Sequence, residues 1–512
     1  MELGLPLRPP GTGLLIALFF SEPTSRGPDV RLLFAVLGAF GAPLGAIAVA
    51  RSFGARVGAI AGALMACATS SIIVSSSIDA EAPYLLVVLA ALAMWPEVIR
   101  RRWLVVFGAL NGLALLFRAE HALTLLLFLG PAIASWARIE SKGVATSASR
   151  VLLGVALLVA PWQLHVYRTI HELNANPNQD PTEDSRLLPL EATLPPIRWS
   201  SGAESALAKV PAFSRRLVKD FVSATVAHRG RTEVRTEDLL LVRDAFGFQP
   251  EPLPEIPLVA LYGPMNFYLA NNPRASDGFS RRAFEREGPF LGGRESYPDL
   301  LFLGPAPIGT IAIQYPPHLE ILLHGYRMGF EWLGSDPIGS MQFVLRKANR
   351  FLSVLRHGFT SEGLPAGLSG VGWSVDVAVP EGAIAVATEL AWLGLMVAGL
   401  MKIVRASRAR GAVAVWLGLF VSKLVVAMAF FGYARLGVTA FPVVALLVAI
   451  VLERSVAKRE RLLLSIWVAG ALAIEVARFT WPPEVRVDGE LIGRVDSLPP
   501  AVHRDRSISV SR

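Results

Sequence analysis

Cysteine is almost absent from this chain, whose 512 residues include one cysteine, Cys67. A single thiol cannot form an internal disulfide, and Cys67 lies in an apolar run, so cysteine usage indicates no redox compartment. The sequence also lacks a P-loop, a GxGxxG turn at a strand–helix junction, an HExxH helix and a CxxC pair. Each of these motifs builds a phosphate, dinucleotide or zinc site, so their absence argues against nucleotide, nicotinamide and zinc chemistry.

Charge is scarce as well. Only 18% of the residues are charged and 53% are hydrophobic, whereas a soluble globular chain has about 25% charged and about 45–50% apolar residues. The apolar residues form long runs at both ends, around a polar middle from about residue 168 to 380. This pattern predicts a mainly α, polytopic membrane protein with one large extramembrane domain of α or mixed structure.

Ten apolar runs are the candidate spanning helices. They cover residues 30–50, 56–75, 82–99, 103–117, 121–137, 149–167, 382–401, 411–431, 436–452 and 462–479. Their interiors carry almost no charge, and the charged residues gather at their ends.

Lysine and arginine crowd into alternate turns between these runs, at residues 51–56, 100–102, 138–150, 402–410 and 454–461. Short loops rich in these residues lie on the cytoplasmic side. The remaining segments are therefore expected outside: residues 21–31, 76–81, 118–121, 168–380, 432–435 and the tail after 480. Membrane orientation accounts for the net charge of +8, and no basic patch away from the membrane turns points to nucleic acid.

Five segments follow from this reading: an outer interfacial segment at 1–29, a transmembrane block at 30–167, an outer domain at 168–380, a second transmembrane block at 381–480 and an outer tail at 481–512. The stretch Leu7–Phe20 is too short to span a bilayer. We expect it to form an outer interfacial helix that begins after Pro9-Pro10. In the middle domain, amphipathic helices are expected near 203–226 and 318–356, the second broken at Asp336-Pro337. They either lie on the bilayer surface or pack on the domain, and packing is favoured.

The order of short motifs resembles the polytopic glycosyltransferases of the GT-C class, which include protein O-mannosyltransferase-like, aminoarabinose-transferase-like and RgtA/B/C/D-like members. The motifs that carry the resemblance are "RPPGTGLLIALFF", "DVRLLFAVLGAF", "VARSFGARVGAIAGALMA", "SSSIDAEAPYLLVVLAALAMW", "GALNGLALLFRAEHALTLLL", "VAPWQLHVYRT", "YGPMNFYLANNPRASDGF" and "YRMGFEWLGSDPIGSMQFVLRKANRFL", with a weaker "FGYARLGVTAFPVV". No single motif is specific, but together they occur in the family's order from about residue 7 to 455.

The resemblance implies an enzyme that moves a sugar from a polyprenyl-phosphate donor to an envelope glycan, lipid or protein. The reaction would take place on the outer, periplasmic face of a bacterial cytoplasmic (inner) membrane. Such chemistry needs a carboxylate that deprotonates or orients the acceptor and cations that hold the phosphate. These groups belong at the outer helix ends, where charge is costly unless it is used.

Asp79 and Glu81 are the candidate catalytic carboxylates, and they could also help to hold a divalent cation, although no metal is specified by the sequence. The alternative is that both are acids at the start of the next helix, where they suit the helix dipole.

Arg118, Arg435 and Arg8 are the candidate ligands of the donor phosphate. The alternatives are a snorkelling Arg118 paired with Glu120, an interfacial anchor at Arg435 and a simply exposed Arg8. Other residues expected near the donor and acceptor are Pro9, Pro10, Glu120, His121 and Tyr433.

One departure concerns the start of the chain. The family carries its principal catalytic Asp on the outer loop after its first spanning helix, upstream of the proline pair, whereas here Glu2 is the only acid before Pro9. We therefore expect that first helix and loop to be missing, either because the start was assigned too late or because the chain is a truncated, inactive relative. A second class of function stays open, that of a non-enzymatic flippase for lipid-linked saccharides or a polymerase partner.

Overall fold

The computed structural model describes residues 9–20, 27–75, 80–139, 142–175, 197–210, 212–246, 262–272, 275, 316–356, 383–405, 410–430, 434–454, 484–487 and 490–494. The chain divides into two compact units. The first, called here the membrane unit, comprises Pro9–Val159 and Val344–Arg512. The second, called the loop unit, comprises Met1–Arg8 and Ala160–Phe343.

The membrane unit opens with a series of helices joined by short turns. They are α1 (Gly11–Phe19), α2 (Gly27–Ala39), α3 (Gly41–Phe53), α4 (Ala55–Ala66), α5 (Thr69–Ser75), α6 (Glu81–Ala93), α7 (Trp95–Ile99), α8 (Leu104–Phe117), α9 (His121–Ile139) and the first half of α10 (Val144–Ala175). The predicted run 56–75 is interrupted at Cys67–Ala68, and the run 82–99 is interrupted at Met94. Pro96 explains the second interruption, because proline fits the first turn of α7 but would remove a hydrogen bond from a helix interior.

The loop unit is small and mixed. It holds β1 (Arg198–Trp199), α11 (Ser201–Leu207), α12 (Ala212–His228), β2 (Glu233–Val234), α13 (Thr236–Phe246), α14 (Gly263–Ala270), α15 (Pro316–Ser335) and the start of α16 (Pro337–Arg356). Strands β1 and β2 pair in parallel, with Arg198 opposite Glu233. The predicted break at Asp336 is confirmed: the Asp336 carboxylate accepts the Gly339 backbone N–H at 3.0 Å and so caps the start of α16.

Helices α14 and α15 pack through aromatic side chains. The Phe267 ring lies 4.7 Å from the Phe330 ring and 5.4 Å from the Tyr326 ring, measured between centroids. The buried amide of Asn271 donates to the Phe267 carbonyl at 2.8 Å, and Asn272 donates to the Tyr268 carbonyl at 2.9 Å. The "NFYLANN" motif thus ends α14 by satisfying its last carbonyls.

The chain returns to the membrane unit in the second half of α16 and continues through α17 (Ala383–Arg405), α18 (Arg410–Ala429) and α19 (Ala434–Arg454). Strands β3 (Glu484–Val487) and β4 (Glu490–Arg494) then form an antiparallel hairpin. Helix α19 is buried without interruption from Leu436 to Val451, in contact with α4, α17 and α18. A helix that is apolar all round is typical of the centre of a bundle.

Among the described residues, five helices are long and apolar enough to cross a bilayer: Asp29–Phe53, His121–Ile139, Val144–His171, Gly411–Ala429 and Leu436–Glu453. Four shorter apolar helices are Ala55–Ala66, Glu81–Ala93, Leu104–Phe117 and Leu393–Val404. All of these helices coincide in position with predicted runs, and the predicted run 462–479 lies outside the described residues. This is the pattern of a polytopic membrane protein. The predicted number of about ten spanning helices stays a prediction, because the four shorter helices do not reach the length of a span.

Close packing of small residues holds the helices of the membrane unit together. Where α8 crosses α10, a Cβ on Gly108 would lie 2.0 Å from the Val151 carbonyl oxygen, and one on Gly154 would lie 2.0 Å from that of Val105. Side chains cannot be accommodated at either position, so the two backbones touch. Small residues at helix crossings are a common means of association inside a bilayer.

The basic turns of the N-terminal block meet at one end of the bundle. Arg51 forms an ion pair with Glu97 at 2.8 Å. Arg101 Nη1 donates to the Lys142 carbonyl at 3.1 Å, and Trp136 donates to the Val98 carbonyl at 2.9 Å. The predicted alternation of turns therefore agrees with the geometry of this block, while the assignment of this end to the cytoplasm stays a prediction.

Candidate functional site

A tight turn joins α8 to α9 at the end of the bundle opposite these basic turns. Arg118 ends α8 with an extended backbone (φ −147°, ψ 110°), and its carbonyl accepts the His121 N–H at 2.9 Å. The apolar pattern alone does not show clearly where α8 ends and α9 begins, and this turn marks the boundary. It also directs the Arg118 side chain toward the start of α6.

The Arg118 guanidinium lies between two carboxylates. Its Nη1 donates to Glu81 Oε1 at 2.6 Å, and its Nε donates to Glu120 Oε1. Glu81, in the first turn of α6, is only 3% exposed. Charges this far from water are tolerated only when they are paired, so the three residues form one unit, called here the carboxylate clamp.

Glu120 experiences two opposing influences. Burial raises the pKa of its carboxyl, but the nearby charges of Arg118 and Lys423 lower it by a larger amount. The net pKa is therefore below the ordinary value. Glu120 is therefore held as a carboxylate within the clamp.

A second set of polar side chains lies immediately beneath the clamp, and all of its members are buried. His121 is hydrogen-bonded through both ring nitrogens: Nδ1 lies 3.0 Å from the Tyr84 hydroxyl, and Nε2 lies 2.9 Å from Asn111 Oδ1. The Asn111 amide nitrogen donates to the Phe107 carbonyl at 2.8 Å, so its oxygen is left to accept. In this network Nε2 of His121 carries the proton and Nδ1 accepts from Tyr84.

Lys423 reaches the same cluster from α18, and it corrects the expectation that the spanning helices carry almost no charge. It is 1% exposed, its Nζ lies 4.1 Å above the Tyr84 ring, and this atom has no hydrogen-bond partner in the described part of the chain. The signal was present in the sequence, because Lys423 is the one charged residue between Gly411 and Phe430.

A small pocket that is open on one side adjoins the clamp, with a cavity volume of about 40 Å³. Most of its lining is apolar or small, and its polar members are Ser71, Ser75, Thr439 and Glu81. Helices α2 to α6 and α19 supply its walls. Glu81 thus belongs both to the clamp and to the pocket, and it is the only charged side chain in the lining.

The proline pair lies near the clamp as well. Helix α1 begins directly after Pro10, as predicted, and the Leu14 N–H donates to the Pro10 carbonyl at 2.8 Å. A Cβ on Gly11 would lie 2.7 Å from the carbonyl oxygen of Leu116, the second-last residue of α8. The glycine of "PPG" therefore allows α1 to rest on the helix end that carries Arg118. Whether α1 lies in a membrane interface stays a prediction.

The other predicted site residues are only partly placed. Arg8, Asp79 and Tyr433 lie outside the described residues. Arg435 lies in the first turn of α19, but its side chain is also outside them. Within the described ranges, no group of three or more His, Cys, Asp or Glu is arranged to hold a metal ion.

Comparison with known families bears on this part of the chain. Residues 7–165 match the family model described as dolichyl-phosphate-mannose-protein mannosyltransferase. The resemblance to the GT-C class is confirmed over this segment. The match covers under a third of the 512 residues and includes the whole carboxylate clamp, but not Lys423. Neither a curated protein nor a solved structure shows significant similarity to the chain.

Proposed function

We propose that the chain is an integral-membrane glycosyltransferase that moves a sugar from a polyprenyl-phosphate donor to a glycan, lipid or protein acceptor. The reaction takes place on the outer face of the membrane that holds the chain. The observation that carries the proposal is the position of Glu81, whose carboxylate is held by Arg118 and also lines an apolar pocket. The family match supports the reaction class.

In the proposed reaction, an acceptor oxygen attacks the anomeric carbon of the sugar and forms the new glycosidic bond. The bond from that carbon to the phosphate oxygen breaks, and the lipid phosphate leaves with the electron pair. Glu81 accepts the hydrogen bond of the acceptor hydroxyl and takes its proton as the new bond forms. Arg118 fixes the orientation of the Glu81 carboxylate, since productive geometry depends on a side chain that cannot turn away.

The pocket suits the lipid part of such a donor. A polyprenyl chain is a hydrocarbon, and the pocket walls are mostly apolar or small side chains, including Leu85, Leu89 and Phe441. We propose that the end of the polyprenyl group next to the phosphate occupies this space, with the sugar directed toward Glu81.

The cations that hold the phosphate are assigned by resemblance. We propose Arg435 and Arg8 for this role. Arg118 is already engaged by Glu81 and Glu120, so we assign it primarily to positioning, and a phosphate contact would require it to exchange one of these partners. Asp79, two residues before Glu81, remains the second candidate carboxylate.

The buried Lys423 is the observation that favours the alternative function, a flippase or polymerase partner, because ionisable groups inside spanning helices often mark transport paths. Its contact with Tyr84, three residues from Glu81, places it beside the clamp and so fits the enzyme as well.

One experiment separates the two functions. The full chain is reconstituted in vesicles that contain radiolabelled polyprenyl-phosphate-mannose, and water and a short mannoside are offered as acceptors. An enzyme releases or transfers labelled mannose, and the amount rises with time and protein. A flippase moves intact donor to the other leaflet without cleaving it, which periodate accessibility of the sugar detects. Translocation without any cleavage, across donors that carry other sugars too, would reject the enzyme.

A further inference from the structure

Helix α16 exposes apolar side chains although one of its sides is firmly packed. Ile338, Met341 and Leu345 are 69%, 60% and 58% exposed. Phe343, Lys347 and Phe351 are buried. Apolar side chains of this size are seldom left in water on neighbouring turns of one helix, so the exposed set requires an occupant.

The residues of α16 sort into three sectors around the helix axis, at about 100° per residue. The packed sector carries Phe343, Lys347 and Phe351, four residues apart in each step. Roughly 150° away lies the exposed apolar sector of Ile338, Met341 and Leu345. The third sector lies between the exposed apolar sector and the packed sector, and it carries Gln342 and Arg346, which are exposed and polar.

Contacts of α16 within the membrane unit indicate what the occupant is. The Phe351 ring packs edge-on against Phe420 of α18, with 5.8 Å between the ring centroids. Helix α18 is one of the helices long and apolar enough to cross a bilayer. The end of α16 therefore lies against a membrane helix, where the neighbouring medium is lipid.

The charge of α16 points to the same occupant. From Pro337 to Arg356 the helix contains no acidic residue and four basic ones, Arg346, Lys347, Arg350 and Arg356. Helices with an apolar face and basic residues beside it bind in the interface of anionic bilayers. Because the packed sector of α16 lies against the protein, the exposed apolar sector is left for acyl chains and the polar sector for headgroups and water.

We propose that α16 lies in the membrane interface, with Ile338, Met341 and Leu345 inserted among the upper acyl chains and Gln342 and Arg346 at headgroup level. The occupant of the apolar sector is the bilayer itself. This inference does not depend on the proposed glycosyl transfer, because it rests only on exposure, packing and charge in α16.

Fluorescent labelling tests the proposal in the full chain. Cys67 is replaced by Ser, since it is the only cysteine and is exposed. Single cysteines then replace Met341, Leu345 or, as the matched control on the polar sector, Gln342, and each is labelled with NBD. The proteins are reconstituted in phosphatidylcholine–phosphatidylglycerol vesicles, with or without lipid that bears a nitroxide high on the acyl chain. Iodide is the quencher in water.

We expect NBD at 341 and 345 to lose emission with nitroxide lipid and to resist iodide, and NBD at 342 to show the reverse. If 341 and 345 are quenched by iodide as strongly as 342, the sector faces water and the proposal is wrong. If they resist both quenchers, the sector is covered by protein, and the proposal is equally wrong. Ile338→Cys gives the same reading should either substitution prevent folding.

Discussion

Arg118 Nη1 lies 2.6 Å from Glu81 Oε1, and this ion pair joins the end of α8 to the start of α6 across 37 residues of sequence. The same guanidinium binds Glu120. Because all three side chains are largely shielded from water, each depends on the others for its charge to be tolerated. The pair thereby fixes the one acid that lines the apolar pocket.

Replacement of Arg118 by Ala should destabilise the protein severely. The change leaves Glu81 and Glu120 buried without their main partner, and breaking a buried pair in this way typically costs about 3–5 kcal/mol. Thermal unfolding of the detergent-solubilised chain measures the loss. Arg51→Ala is the control, because the Arg51–Glu97 pair is more exposed and such pairs contribute about 0–1 kcal/mol. Equal losses in the two variants would show that the clamp is no more than a surface ion pair.

Two glycines in α1 should respond to alanine with opposite signs. A Cβ on Gly11 would lie 2.7 Å from both the Leu116 carbonyl oxygen and Phe117 Cδ1, whereas nothing lies within 4 Å of one on Gly13. Alanine in a helix is favoured over glycine by about 1 kcal/mol. Gly13→Ala should therefore raise the unfolding temperature slightly, and Gly11→Ala should lower it by forcing α1 away from α8. A rise in both would mean that α1 does not rest on the end of α8.

Lys347 should make stability depend on alkaline pH. Burial lowers its pKa from 10.5 to about 7, so between these values the unfolded chain binds a proton at this site that the folded chain does not. Stability should then rise as the pH increases through this window, and the destabilisation should be fully present below about pH 7. Comparing the unfolding temperatures of the natural chain and Lys347→Met from pH 7 to 10 checks this. Parallel curves for the two proteins would show that Lys347 does not contribute.

How far the sequence leads is seen by comparing α6 and α8 with the contact between them. Hydropathy predicts both helices, and the rule that charge collects at helix ends singles out Glu81, Arg118 and Glu120. The pair between Arg118 and Glu120, two residues apart, was among the sequence-based alternatives and is present. The pair between Arg118 and Glu81 could not be predicted, because it depends on which helix ends meet in three dimensions. The apolar pattern predicts where helices lie but not which of their faces contact one another.

The buried network shows the same limit from another side. Tyr84, Asn111 and His121 are single polar residues on apolar helices, and each reads as an ordinary side chain until the others are placed beside it. Lys423 differs, since a lysine inside an apolar run is costly and so calls for a partner. The position of this lysine therefore points to α18 as a further side of the candidate site.

Lys423 is expected to serve activity at no benefit to stability. Together with Arg118 it balances the charges of Glu81 and Glu120, but replacing a buried cation by an apolar side chain of similar size is often neutral or stabilising. Lys423→Met should therefore unfold at the same or a higher temperature and cleave less polyprenyl-phosphate-mannose. Lys402→Met, on α17, is the control for loss of a lysine from a membrane helix. Full donor cleavage by Lys423→Met would remove Lys423 from the site.

The most direct measurement compares Glu81→Gln with Glu97→Gln in the reconstituted cleavage assay. Both changes neutralise a glutamate paired with an arginine, at opposite ends of the same bundle, but only Glu81 lines the pocket. Loss of a general base typically lowers turnover by about 10²–10⁴-fold. We expect such a loss in Glu81→Gln, with turnover in Glu97→Gln close to that of the natural chain. Unchanged turnover in a folded Glu81→Gln variant would contradict the central claim that Glu81 acts on the acceptor.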